Sequence, residues 1–204
     1  FSDTTSYFVT EGTGSGKRIE KLSDANSASP VSFVEREKLL LYHNNFSSGI
    51  DYGNIHFTYF DEGEGWMGSM ITQAHSLDYD TLSGIVSTFA AGGKPILEVV
   101  GTGRGPMTHQ VNVYGGASGR LITSFNIVGY ETKKIAQEIE WTDINASGEL
   151  KVGITVRPAA SGTARASLNY VRVRFPQKPD MSNAGHNLFS VAPGQGLRLL
   201  QLQN

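Results

Sequence analysis

The second half of the chain is dominated by apolar and polar residues that alternate with a period of two. The clearest case puts Leu150, Val152, Ile154 and Val156 on one parity and Lys151, Gly153, Thr155 and Arg157 on the other. Successive side chains of a strand point to opposite faces, so this pattern predicts a half-buried strand. Pro158 cannot donate a ladder hydrogen bond, so we expect the strand to end there.

The same period predicts several more strands. Val111 and Val113 alternate with polar neighbours, Ile139 and Trp141 alternate with glutamates, and Leu197 and Leu199 repeat the pattern near the C-terminus. Residues 6–10 are expected to form a first strand. Residues 34–43 suit a strand or a short helix, and we favour the strand.

The apolar parity changes within residues 166–175. Ala166, Leu168 and Tyr170 share one parity, whereas Val171, Val173 and Phe175 share the other. Either a β-bulge shifts the register near Tyr170, or the strand is central and both of its faces are covered.

Turn-forming clusters separate the predicted strands. They fall at residues 91–93, 101–106, 115–119, 145–148 and 160–163. Short strands at this spacing, without helices between them, predict an all-β fold, either an antiparallel β-sandwich or a jelly roll. The less regular start suggests a small N-terminal β-unit over residues 1–76, which belongs to the same domain or precedes a jelly roll over residues 77–204.

Composition excludes several classes of function. The 204 residues carry 17 basic and 19 acidic side chains, a net charge of −2, which gives no electrostatic footprint for nucleic acid. No apolar run reaches the roughly 18–20 residues that span a bilayer. With no cysteine, the chain has no disulfide, no thiolate metal site and no cysteine nucleophile. Because Phe1 opens directly into polar sequence, we expect a mature form or a piece of a longer protein.

Three catalytic or ligand-binding motifs were tested by their spacing. Residues 14–19 (GSGKRI) resemble a phosphate-binding loop, but Glu11 stands where its first glycine belongs and Arg18 replaces the Ser/Thr. No Gly-x-Ser-x-Gly nucleophile elbow is present. The histidines lack metal-site spacing, so we expect surface or loop positions for His43, His56, His75, His109 and His186.

Two features remain as candidates for ligand binding. Residues 61–65 (DEGEG) cluster carboxylates in a glycine turn, which we interpret as a solvated hairpin tip. We therefore predict no cofactor and no metal, with calcium kept as the open alternative at this turn. Trp66, Tyr114, Tyr130 and Trp141 are the aromatic residues that suit a sugar-stacking platform, and Trp66 and Tyr114 are the binding candidates.

Five stretches together resemble the N-terminal region of PorU-type proteins, the gingipain-like surface proteins of the Bacteroidetes type IX secretion system. In chain order they are Tyr7-Phe8, residues 16–19 (GKRI), 33–37 (FVERE), 65–68 (GWMG) and 168–173 (LNYVRV). The resemblance implies a parent with a β-rich region before a caspase-like cysteine peptidase domain. Such peptidases remove C-terminal signals from secreted cargo and help attach it to surface lipopolysaccharide.

The resemblance implies a non-catalytic module at the extracellular or outer-membrane surface. Its partners would be proteins of a secretion or surface-attachment complex, which it serves in docking or scaffolding. The alternatives are a carbohydrate-binding jelly roll of a glycan-use protein and a standalone adhesin domain. A caspase-like domain encoded after Asn204 would favour the first interpretation, and a glycoside hydrolase there would favour the second.

Overall fold

The computed structural model describes residues 30–46, 50–52, 55–57, 65–75, 77–85, 92–179, 190–191 and 200. Several predictions lie outside these residues: the strands at 6–10 and 197–199, the loop at 14–19, His186 and the carboxylates at 61–64.

The described residues form antiparallel strands, with a short 3₁₀ turn at Trp141–Asp143. The strands are β1 (Val34–Leu41), β2 (Asn45–Phe46), β3 (Ile50–Tyr52), β4 (Ile55–Phe57), β5 (Trp66–Met67), β6 (Ile71–Thr72), β7 (Tyr79–Leu82), β8 (Ile96–Gly103), β9 (Thr108–Gly115), β10 (Arg120–Val128), β11 (Thr132–Glu138), β12 (Leu150–Pro158) and β13 (Arg165–Gln177).

Nine of these strands form two facing sheets, and eight of them, all except the two-residue β6, define the strand order. Sheet I has the order β1-β13-β8-β11, with β6 also paired to β13, and sheet II has the order β10-β9-β12-β7. Counted in chain order, sheet I therefore holds the first, eighth, third and sixth of the eight strands, and sheet II holds the fifth, fourth, seventh and second. This is the strand order of a jelly roll, so the predicted all-β antiparallel sandwich is confirmed. Two small sheets, β2-β5 and β3-β4, accompany it.

The core lies between the two sheets and follows the predicted parity. Leu150, Val152, Ile154 and Val156 of β12 are all buried, and Val111 and Val113 of β9 join them. Lys151 and Arg157, on the opposite parity of β12, are exposed. Residues 34–43 are a strand over Val34–Leu41, as favoured, because β1 pairs with β13 along its whole length.

The parity change in β13 is a β-bulge. The pairing of β13 with β8 shifts between Leu168 and Tyr170, so Asn169 is the extra residue. Leu168 faces the core before the shift and Val171 faces it afterwards. Asn169 and Tyr170 can therefore both lie on the outer side of sheet I. β13 is also central in its sheet, with β1 and β6 on one edge and β8 on the other, but Tyr170, Arg172 and Arg174 stay partly exposed on its outer face, so the bulge explains the parity change.

Two predicted boundaries are wrong. The turn expected at 101–106 starts later, because β8 continues to Gly103. Gly103 lies so close to the neighbouring turn that a Cβ there would be 2.0 Å from the Gly129 carbonyl oxygen. The strand expected around Ile139 and Trp141 ends at Glu138, and Trp141 begins the 3₁₀ turn.

His109 corrects the expectation of surface or loop histidines. Its side chain is fully buried in β9, on the same parity as Val111 and Val113. Its Nδ1 accepts from the Arg165 amide at 3.2 Å, so Nε2 donates to the Gly105 carbonyl at 3.0 Å. With both ring nitrogens bonded, His109 fastens the β8–β9 turn to the start of β13.

Two of the strands before residue 77 are paired with a strand that follows it. β1 and β6 both hydrogen-bond to β13, although they lie in the segment 1–76. A division of the chain at residue 77 stays a prediction. Within the described ranges, no helix has the length and apolarity needed to cross a lipid bilayer.

Candidate functional site

A cleft of about 220 Å³ opens at one edge of the sandwich. It lies where the end of β1 and the start of β6, in sheet I, meet edge strand β7 and its neighbour β12 in sheet II. Its walls come from chain segments that are far apart in sequence. The lining residues are Tyr42, Asn44, Gly68, Ser69, Ile71, His75, Asp78, Asp80, Val152, Ile154 and Leu168.

The cleft combines an apolar floor with a polar rim. Ile71, Ile154 and Leu168 supply the aliphatic surface. They belong to the core-facing sides of β6, β12 and β13, and the core reaches the surface at this opening. Asp78 and Asp80 are two residues apart, so they lie on the same side of the β7 segment, opposite Tyr79. Asp80 pairs with Val152, whose side chain faces the core, and this turns its carboxylate towards the cleft.

Tyr42 and Asp80 connect the two sheets across the cleft. The Tyr42 hydroxyl donates a short hydrogen bond to Asp80 Oδ2. Burial, and then the hydrogen bond and charge of Asp80, raise the pKa of Tyr42 well above its ordinary value. The phenol therefore stays protonated at physiological pH and remains a donor to this carboxylate.

An aromatic pair stands beside the cleft. Phe46 and Trp66 are opposite each other in the β2-β5 sheet, and their ring centroids are 5.1 Å apart with a tilt of 59°. Both side chains remain about half exposed, at 54% and 48%. Phe46 follows Asn44 by two residues and Trp66 precedes Gly68 by two, so the pair adjoins the rim.

Buried polar contacts fix the pair to the outer face of sheet I. Asn169, the bulge residue, donates from Nδ2 to the Trp66 carbonyl at 3.0 Å and accepts from Thr102 Oγ1 at 2.9 Å. Met67 is buried beneath β5, where Arg104 Nη1 lies 2.8 Å from its sulfur. These contacts hold the backbone of Trp66 while its ring faces solvent.

Tyr114, the other candidate, lies on the opposite side of the molecule. Val111 and Val113 face the core, so Tyr114 projects from the outer face of sheet II. Tyr114 and Tyr79 both pair with Gly153, which puts the two tyrosines in one row across β9, β12 and β7. Trp66 and Tyr114 thus cannot share one platform, and a binding role for each stays a prediction.

The remaining aromatic candidates, Trp141 and Tyr130, lie apart from both Trp66 and Tyr114. Trp141 packs against the core, and its indole N–H donates to the Gly93 carbonyl at 3.0 Å. Tyr130 lies in the turn between β10 and β11. Among the described residues, no three His, Cys, Asp or Glu side chains lie close enough together to hold a metal ion.

Sequence reasoning missed the cleft because no motif encodes it. Tyr42, Asp80 and Ile154 come from distant segments, and only the jelly-roll pairing brings them together. One local signal was available: Asp78 and Asp80 alternate with Tyr79 at the strand period. A pair of carboxylates on one side of an edge strand could have marked this opening.

The fold and the cleft define an all-β jelly-roll domain with a ligand-sized opening at one sheet edge. No protein-family profile matches the chain, and no curated protein matches it. Its fold is similar to part of the crystal structure of dimeric latent PorU from Porphyromonas gingivalis, with a TM-score of 0.53 and 11% identity over 79% of this chain. The chain spans 14% of that PorU chain, and the likeness shows a shared fold.

Two carbohydrate-binding modules are more distant in structure. One is the CBM36-1 domain of a multidomain xylanase from the hindgut metagenome of Trinervitermes trinervoides, with 16% identity, 68% of this chain and 96% of that chain covered, and a TM-score of 0.40. The other is a carbohydrate-binding module CBM36 in complex with calcium and xylotriose, with 19% identity, 66% and 98% covered, and a TM-score of 0.36.

Proposed function

We propose that this chain is a non-catalytic docking module of a longer, PorU-like protein at the extracellular or outer-membrane surface. Its occupant is another domain of that same parent protein. The fold shared with a part of PorU supports the relationship, and an exposed apolar strip supports docking.

The apolar strip consists of Leu39, Leu41, Phe46 and Trp66, and it is the observation that carries the proposal. All four side chains are exposed. Leu39 and Leu41 share one parity of β1, and Leu41 pairs with Tyr170, the residue after Asn169. Asn169 in turn holds the Trp66 carbonyl, so the leucines and the aromatic pair meet at one end of sheet I. Exposed apolar side chains grouped at one end of a sheet are typical of an interaction surface, in which tryptophan is a frequent energetic centre.

Hydroxyl-radical footprinting of the full-length parent tests the docking function. Phe46 and Trp66 are expected to be modified several-fold more slowly in the parent than in the 204-residue chain alone, whereas Leu121 and Val128, which are 51% and 55% exposed here, are expected to react equally in both. Changing Trp66→Ser and Phe46→Ser is expected to make the linker to the adjoining domain more sensitive to limited proteolysis. Leu121→Ser and Val128→Ser serve as matched controls with no such effect.

Rates at Phe46 and Trp66 that are the same in the parent and in the 204-residue chain alone would contradict docking within the parent. Protection that appears only when secretion or surface-attachment proteins are added would replace the internal occupant by an external partner.

The cleft favours carbohydrate binding as a second function. An apolar floor bordered by carboxylate, amide and hydroxyl groups matches both the C–H faces and the hydroxyls of a sugar. A glycan array probed with the labelled chain tests this function, and binding to at least one glycan family is expected. An array without any hit counts against it and leaves the docking proposal untouched.

A further inference from the structure

The charge of the cleft restricts what it can bind. Asp78 and Asp80 contribute two carboxylates, and none of the described residues that line the cleft is a lysine or an arginine. Phosphates, sulfates and acidic sugars would therefore meet uncompensated repulsion in the cleft. The charge of the cleft therefore suits a neutral or a cationic ligand.

The hydrogen-bonding groups of the rim favour a polyhydroxyl ligand over a simple cation. Asn44 and Ser69 can each donate as well as accept, and His75 adds a ring nitrogen of either kind. A lysine ammonium would satisfy the carboxylates but offers no acceptor to these donors. A sugar hydroxyl both donates and accepts, so it can pair with every group of the rim.

The size and the floor of the cleft fit one sugar ring. A volume of about 220 Å³ is smaller than the usual pocket for a drug-sized molecule. Ile71, Ile154 and Leu168 offer an aliphatic surface on which the C–H face of a pyranose can rest. We propose that this cleft binds one ring of a neutral saccharide, with Asp78 and Asp80 accepting from its hydroxyls and Asn44 and Ser69 donating to them.

Tyr42 is a positioning residue in this site. Its hydroxyl donates to Asp80 Oδ2, and this contact also fixes the orientation of Oδ1. Gly68 allows the tyrosine ring to lie close, because a Cβ at this position would be 3.1 Å from Tyr42 Cδ1. The ring thus fixes the carboxylate without occupying its second oxygen.

Calorimetric titration of the 204-residue chain tests the inference, which rests on the carbohydrate-binding function proposed above. The probes are neutral disaccharides of glucose, galactose and mannose, the matching uronic acids, a lysine amide, and calcium chloride. At least one neutral disaccharide is expected to bind, and its uronic acid is expected to bind at least tenfold more weakly.

Variants locate the binding. Asp78→Ala and Asp80→Ala are each expected to lower the affinity about tenfold, as is Asp80→Asn, which keeps an acceptor for Tyr42. Tyr42→Phe is expected to lower it less, and to be non-additive with Asp80→Ala. The matched controls Tyr79→Ala and Tyr114→Ala, on the outer face of sheet II, are expected to have no effect.

Each other outcome overturns the inference in a distinct way. Binding that is lost in Tyr79→Ala and Tyr114→Ala but kept in the aspartate variants would preserve the carbohydrate function and remove it from the cleft. Preference for the lysine amide, or binding only with calcium, would refute the ligand class. An absence of any saccharide binding would refute the function and the site together.

Discussion

Two aspartates with tight contacts, Asp143 and Asp80, have opposite surroundings. Asp143 is 5% exposed in the 3₁₀ turn and accepts from Arg120 Nε at 2.8 Å and Nη2 at 2.6 Å. The Glu140 amide donates to it as well, at 2.9 Å. Asp80 is exposed at an edge strand and accepts from the Tyr42 hydroxyl.

The difference separates a carboxylate that builds the fold from one that is open to a ligand. Both oxygens of Asp143 have charged or backbone donors, so it fastens the β9–β10 turn to the 3₁₀ turn and has little capacity left. Asp143 and Arg120 stabilise each other, and the hydrogen bond that Arg120 donates to Asp143 raises the pKa of Arg120. Asp80 keeps free acceptor capacity in an opening whose lining, among the described residues, includes no lysine or arginine.

The largest effect on stability is expected from Asp143→Ala. The substitution removes three hydrogen bonds and leaves the Glu140 amide without its acceptor, which we expect to lower the free energy of unfolding by about 3 kcal/mol. Urea denaturation measures this value. Lys94→Ala is the control, because its ion pair with Glu140 is solvent-exposed on both sides and is expected to contribute nothing measurable. Equal losses of unfolding free energy in the two variants would contradict the role of Asp143 in building the fold.

An intermediate effect is expected from Tyr42→Phe, with a dependence on pH. Near neutral pH the lost hydrogen bond is expected to cost about 1 kcal/mol. In the wild type the pKa of Tyr42 is raised on folding, so the unfolded chain ionises first as pH rises above about 10. The folded state binds more protons there, and stability falls with rising pH.

The phenylalanine variant lacks this contribution, so the difference between the two proteins should shrink above pH 10. Urea denaturation at pH 7, 9 and 10.5 measures the difference. A constant difference across this range would show that Tyr42 ionises normally.

The smallest effect on stability is expected from Asp80→Asn. The amide oxygen still accepts from Tyr42, and the position is exposed, so the free energy of unfolding should change by no more than about 0.5 kcal/mol. A charge on edge strand β7 also disfavours pairing with another chain. Size-exclusion chromatography therefore accompanies the denaturation, because it detects such pairing. A loss of unfolding free energy comparable to that of Asp143→Ala would show that Asp80 stabilises the fold.

Much of the fold was predictable because the buried and exposed faces of a strand appear in the sequence as alternating apolar and polar residues. The alternation in β12, the strand at β1 and the register shift in β13 all followed from neighbouring residues. His109 carried the same signal, since it shares parity with Val111 and Val113, but its chemistry suggested the surface. The end of β8 was missed because Gly101 and Gly103 serve close strand approach rather than a turn.

Local sequence was enough to predict the class of fold, since a period of two and the spacing of turns depend only on residues that are close in the chain. Which strands are neighbours, and therefore which side chains meet, is set only when the chain folds. The tertiary structure separated Trp66 from Tyr114 by the thickness of two sheets, paired Trp66 with Phe46, and brought Tyr42 to Asp80 at the open edge. Contacts between segments so far apart depend on strand order, which local alternation does not encode.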